Sequence, residues 1–119
     1  MLVKQGVSIV SARFTEHEEV AMRVESPRTR RDLRSLGANL AASRKIHGLT
    51  QRELADRAGI TRATLASLEH GEGGPRVEAL LAVARVLGSN DALVGATDPL
   101  ATEYGRANAG RAVRHRVRT

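Results

Sequence analysis

Cysteine and tryptophan are absent from this 119-residue chain, and phenylalanine and tyrosine occur once each. Without cysteine there is no disulfide framework, no thiolate nucleophile and no cysteine-containing zinc site, a pattern typical of a reducing compartment. The scarcity of aromatic side chains argues against modules that stack single-stranded bases on aromatic platforms. A chain of this length has room for about one small hydrophobic core, which excludes a large multidomain enzyme.

Long apolar runs are missing as well. No stretch approaches the roughly 18 residues needed to cross a bilayer, and the first residues lack the basic start and apolar core of a secretory signal. We therefore expect a soluble, cytoplasmic protein that does not contact a membrane.

Basic charge is what the chain does have. Nineteen Lys and Arg against thirteen Asp and Glu give a net charge of +6, and all but two of the basic residues are Arg. The excess is concentrated in residues 99–119, which hold five Arg and one Glu. This charge favours a polyanionic partner. Ala- and Arg-rich usage can equally reflect the base composition of the genome.

Apolar spacing predicts a compact all-α domain of four or five short helices in residues 31–96. The first helix should run from Arg31 to about His47, with Leu33, Leu36 and Leu40 on one face. Thr50 and Glu53 form a capping box that starts the second helix, which Gly59 ends. Thr61 caps the third helix, which Gly71 ends.

The fourth helix is predicted to open at Pro75 and to end at Gly88. Its expected apolar face is Val77, Leu80, Leu81, Ala84 and Leu87. Ser89 or Asn90 can cap a last short helix that carries Leu93 and Val94.

Two segments flank this domain. Residues 1–30 are interpreted as a mobile arm, or alternatively as a short dimerising strand, and Met22 offers an alternative start that would leave the domain intact. Residues 97–119 form an Arg-rich tail.

The second and third helices are separated by a very short connection. Gly59 and Ile60 leave so little chain between them that the helices must cross steeply, with small or apolar residues at the crossing. This spacing predicts a helix-turn-helix, in which the start of the third helix faces outward and can enter a major groove.

At this point the sequence resembles a known family. The stretch LTQRELADRAGITRATLASLEHGEGGP is similar to the phage-repressor type of helix-turn-helix, the XRE family. The matching positions are Leu49, Thr50, Gln51, Leu54, Ala55, Gly59, Ile60, Thr61, Leu68, Glu69, Gly71 and Pro75. The resemblance implies a repressor-type domain that binds double-stranded DNA.

Candidate contacts follow from reach and chemistry. Arg62 can donate two hydrogen bonds to guanine, Ala63 can contact a thymine methyl group, and Ser67 can bond to either kind of base edge. Most of the predicted phosphate contacts lie at or beside helix starts, and Arg44, near the end of the first helix, is the exception. They are Gln51, Thr50, Thr61, Thr64, Arg44 and Arg76. The resemblance further implies that Glu69 pairs with Arg44.

No catalytic constellation, metal site or cofactor is predicted. The four His residues, at positions 17, 47, 70 and 115, share no metal-ligand spacing. The glycine-rich run 71–74 lacks the Lys-Ser/Thr that follows in a phosphate loop. We expect a protein without enzymatic activity.

The tail carries a second resemblance. The run from Asp98 through Ala107, with Arg116 and Arg118 near the end, is similar to the C-terminal extension of HipB-like antitoxins. That resemblance implies a homodimer that represses its own operon at a palindromic operator and binds a HipA-like kinase toxin. A tail that merely follows DNA phosphates without sequence preference is the alternative.

Overall fold

The computed structural model describes residues 26–113, and within that range every regular element is helical. The α-helices are α1 Pro27–Ile46, α2 Gln51–Ala58, α3 Arg62–Glu69, α4 Val77–Leu87, α5 Asn90–Gly95 and α6 Glu103–Ala107, with a 3₁₀ helix at Pro99–Ala101. The predicted all-α fold is therefore confirmed. Predictions on residues 1–25, including the arm, its alternative strand and the start at Met22, lie outside the described residues, as do residues 114–119.

The first helix begins earlier than predicted. It starts at Pro27 and not at Arg31, so the last residues assigned to the arm belong to α1. Ser26 is the N-cap, and its hydroxyl accepts a hydrogen bond from the Thr29 backbone N–H at 3.2 Å. Proline suits the first helical position because its missing N–H would have no partner there, so Pro27 is well placed to begin the helix.

The capping box at the start of α2 is present as predicted. The Thr50 hydroxyl accepts from the Glu53 backbone N–H at 3.0 Å, and the Glu53 carboxylate accepts from the Thr50 backbone N–H at 2.8 Å. Hydrogen bonding to Thr50 lowers the pKa of Glu53, and the backbone of Thr50 has a larger effect than its side chain. The box therefore weakens as the pH falls through the pKa of this carboxyl group.

The fourth helix begins later than predicted. Pro75 does not open it, because the backbone is still extended at Arg76, which is the N-cap and makes no side-chain capping hydrogen bond. Val77, expected in the core, is 71% exposed, whereas Val83, which was not on the predicted face, is fully buried. In the first turn of α4, Val77 therefore faces solvent, while Ala79 and Leu80 pack against the core.

The core lies where the first four helices meet. Leu54 from α2, Leu65 from α3 and Val83 from α4 are fully enclosed. The cluster is completed by Leu40, Ala55, Leu68 and Leu87. Of the two predicted caps of α5, Ser89 occupies the N-cap position, but its side chain makes no capping hydrogen bond.

The first helix crosses the end of the third at unusually close range. A Cβ on Gly37 would lie 2.5 Å from the carbonyl oxygens of both Leu68 and Glu69. Gly71 has a φ of +78°, and a Cβ there would come within 2.7 Å of the Arg34 Cα. These two glycines allow α1 to pack closely against the end of α3 and the chain that follows it.

Among residues 26–113, none of the helices combines the length and the apolar character needed to span a membrane.

Candidate nucleic-acid interface

The turn between α2 and α3 has the geometry of a tight helix-helix corner. Gly59 ends α2 in the left-handed conformation, with φ of 74°. The backbone N–H of Ile60 donates to the Ala55 carbonyl oxygen at 3.0 Å, and its side chain packs against the core. Thr61 then caps α3, so the end of α2 and the start of α3 are fixed relative to each other.

The two faces of α3 differ sharply. Leu65 and Leu68 face the core, whereas Arg62 and Ala63 are exposed. Thr64, Ala66 and Ser67 are half-buried. The surface that this helix offers to a partner is thus centred on its first turn.

Unpaired backbone donors collect at the starts of α2 and α3. The first amides of a helix have no acceptor within the helix. In α3 the Thr61 hydroxyl accepts from the Thr64 N–H at 3.1 Å and is 2.8 Å from the Thr64 hydroxyl, which leaves the Arg62 and Ala63 amides for an external acceptor. In α2 the Thr50 amide is bonded to the Glu53 carboxylate and the Glu53 amide to the Thr50 hydroxyl, which leaves the Gln51 and Arg52 amides for an external acceptor.

Arg44 and Glu69 form a bidentate ion pair, as the family resemblance implies. The Arg44 Nε lies 2.7 Å from Glu69 Oε2, and its Nη2 lies 3.2 Å from Oε1. The Nη1 donates to the Leu49 carbonyl oxygen at 2.9 Å. Only 11% of the Arg44 side chain and 6% of the Glu69 side chain are exposed. The guanidinium is therefore committed largely to the fold, with little surface left for a phosphate.

Glu69 holds a third donor that sequence reasoning missed. The Gln51 side-chain amide donates to Glu69 Oε1 at 3.0 Å. Gln51, predicted to contact phosphate, thus has one of its two side-chain N–H donors engaged within the protein. Eighteen residues separate the two side chains, and no local spacing signals their contact.

Arg76 lies beside the start of α3. An open groove of about 860 Å³ runs between α3 and the start of α4, and Thr61, Thr64 and Arg76 are among its lining residues. Arg76 is 86% exposed and 3.7 Å from the Glu78 carboxylate, a contact that water screens strongly. The structure therefore brings three predicted phosphate contacts to one groove.

Within residues 26–113, no group of three acidic or histidine side chains could hold a metal ion.

Comparison with known proteins agrees with this geometry. The helix-turn-helix family model matches residues 40–92. An uncharacterized HTH-type transcriptional regulator of Sinorhizobium fredii is 44% identical over 69 residues, which are 56% of this chain and 90% of the relative. An uncharacterized HTH-type transcriptional regulator of Methanothermobacter thermautotrophicus is 49% identical over 45 residues, which are 38% of this chain and 65% of the relative. No solved structure matches the chain.

Proposed function

Because this chain belongs to the XRE-type helix-turn-helix family of DNA-binding transcriptional regulators, we propose that it is a sequence-specific, dimeric repressor of its own operon, of the antitoxin type. The observation that carries the proposal is the exposed first turn of α3, which presents Arg62 and Ala63. Base contacts specify a site, and phosphate contacts position the protein on it.

In this proposal α3 enters the major groove with its first turn leading. Arg62 donates to guanine O6 and N7, Ala63 contacts a thymine methyl group, and Ser67 lies one turn further along the helix. The half-buried state of Ser67 gives it less reach than Arg62. Few long side chains face the groove, so DNA shape and phosphate contacts supply much of the affinity.

The phosphate contacts come from the starts of three helices. The Gln51 amide on α2, the Arg62 amide on α3 and the Arg76 side chain before α4 all remain available to an acceptor outside the protein. Thr50 and Arg44, whose donors are largely occupied within the fold, contribute less than the sequence predicts.

A second copy of the chain is expected to bind through the end of the domain. Val94 is 59% exposed, Leu100 is 53% exposed and Leu93 is half-buried. Large apolar side chains that remain exposed favour a protein contact. A two-fold dimer in the cytoplasm would bind a palindromic operator with half-sites about 34 Å apart.

An Arg62→Ala variant tests the proposal. It should weaken binding to the operator by about 1–3 kcal/mol and relax the preference at one base pair, because alanine cannot donate to guanine. The DNA is the segment upstream of the protein's own gene, compared with a scrambled duplex in a titration across salt concentrations. Arg57→Ala is the matched control, since Arg57 is exposed near the C-terminal end of α2, at the other end of that helix from Gln51. Equal, steeply salt-dependent binding of the wild type to both duplexes would contradict the proposal.

A second candidate function is that of an interaction protein that mainly neutralises a HipA-like kinase toxin. It is favoured by the C-terminal unit, residues 98–113, whose 3₁₀ helix and α6 pack chiefly on each other. The Asp98 carboxylate caps Leu100, and the Arg106 guanidinium donates to the Leu100 carbonyl oxygen at 2.9 Å. The unit exposes 71% of Tyr104. An ordered unit with exposed apolar and arginine side chains has the composition of a protein interface.

Deleting residues 101–119, which keeps Leu100 of the expected dimer surface, separates the two functions. If the tail holds the toxin, the shortened chain should lose co-purification with a co-expressed HipA-like kinase and retain its operator affinity. Arg62→Ala should do the reverse, which makes it the internal control. A shortened chain that keeps the kinase and loses DNA affinity, with a shallower salt dependence, would show instead that the tail follows phosphates.

A further inference from the structure

The start of α1 carries a ridge of arginine side chains that the interface above does not use. Arg28, Arg31 and Arg34, here called the arginine ridge, are exposed and follow one another at intervals of three residues along the helix. Side chains at this interval lie on neighbouring positions of a helix surface. Leu33 and Leu36 on the same stretch are half-buried, so the ridge faces away from the core.

The contacts of these three arginines indicate little contribution to the stability of the fold. The first turn of α1 contains no acidic residue, and cations close to a helix N-terminus are disfavoured by the helix dipole. Arg31 lies 3.6 Å from the Asp32 carboxylate, but both side chains are more than two-thirds exposed, so the pair contributes little. Among the described residues, Arg28 and Arg34 have no carboxylate within ion-pair distance.

The arginine ridge lies next to the loop that follows α3. A Cβ added to Gly71 would lie 2.7 Å from the Arg34 Cα, and a Cβ added to Gly73 would lie 3.5 Å from the Leu33 Cδ1. That loop runs on from the end of α3 to Arg76, which borders the groove beside the start of α3. The ridge therefore adjoins the segment of chain between two elements of the proposed DNA interface.

We propose that the arginine ridge binds the phosphate backbone of DNA and extends the interface beyond α2, α3 and Arg76. Guanidinium groups match phosphate oxygens in geometry and charge. The large exposed apolar side chains of the described range all lie elsewhere on the molecule, the nearest in sequence being Ile46 at the other end of α1. The buried core of a protein interface is usually apolar and aromatic, whereas phosphate contacts require only charged donors. The inference rests on the proposed DNA binding.

The test compares two doubly substituted proteins that lose the same charge. Arg28→Gln/Arg34→Gln removes two ridge residues, and Arg57→Gln/Arg85→Gln removes exposed arginines near the C-terminal ends of α2 and α4. Binding to the upstream duplex and to a scrambled duplex is titrated between 50 and 200 mM salt, about the range over which phosphate contacts dominate. Unfolding curves establish that both variants are folded.

The ridge variant should lower the slope of log affinity against log salt by about 2, since each lost phosphate contact removes about 0.9. It should weaken binding to both duplexes by a similar factor, roughly tenfold per arginine near 0.1 M salt. The control variant should change neither quantity to this extent. A slope equal to that of the wild type, or equal losses in the two variants, would overturn the inference. The binding of the wild-type protein tests the proposed function separately.

Discussion

A Glu69→Ala variant is expected to lose about 3–5 kcal/mol of unfolding free energy, because removing one partner leaves a buried charge uncompensated. The Arg44 side chain is 11% exposed, and its guanidinium would keep only its bond to the Leu49 carbonyl oxygen. The Gln51 side-chain amide would lose its acceptor as well. Small domains are stable by only about 5–15 kcal/mol, so the variant should unfold at markedly lower denaturant concentration.

Two further variants establish the cause of that loss. Glu69→Gln keeps a similar shape and one acceptor oxygen but removes the charge, so its loss should be smaller and still measurable. Arg44→Leu/Glu69→Leu removes both charges, and replacement of a whole buried pair by apolar side chains is often close to neutral. The double variant should therefore be more stable than Glu69→Ala. A single variant with wild-type stability would mean that water reaches the Arg44 side chain despite its low exposure.

Local signals in the sequence predict the ends of several helices correctly. Thr50 with Glu53, Gly59 and Thr61 each act on residues within a few positions along the chain, and the structure shows each in the predicted role. Their physics is local because a capping hydrogen bond or a left-handed glycine requires no contact from another element. The same reasoning failed at Pro75, where the residue after the proline stays extended.

Contacts between elements could not be read in this way. Gly37 lies in the middle of a helix, where glycine is usually unfavourable, and only the approach of the Leu68 and Glu69 carbonyl oxygens explains it. Val83 was left out of the predicted face of α4, although it lies three residues after Leu80 and four before Leu87, a spacing that places all three on one side of the helix. Family resemblance paired Arg44 with Glu69, but the bond from Gln51 to the same carboxylate required coordinates. The base contacts of Arg62, Ala63 and Ser67 stay predictions.

A Leu65→Ala variant should lose about 2–5 kcal/mol of unfolding free energy, because it leaves a cavity where the side chain was fully enclosed. Leu65 lies on α3, three residues after Arg62, yet on the face that packs against the core. Among molecules that remain folded, operator affinity should therefore stay close to that of the wild type. The measurements are a urea unfolding curve and a DNA titration at low temperature, with the fraction folded taken from the curve.

Arg62→Ala is the matched opposite on the same helix, since an exposed side chain with no resolved ion pair contributes little to stability. It should leave the unfolding curve almost unchanged while it weakens operator binding. If Leu65→Ala instead weakened binding as strongly as Arg62→Ala at full occupancy of the folded state, the first turn of α3 would depend on the packing beneath it. The two faces would then act as one unit, and the exposed turn alone would no longer account for recognition.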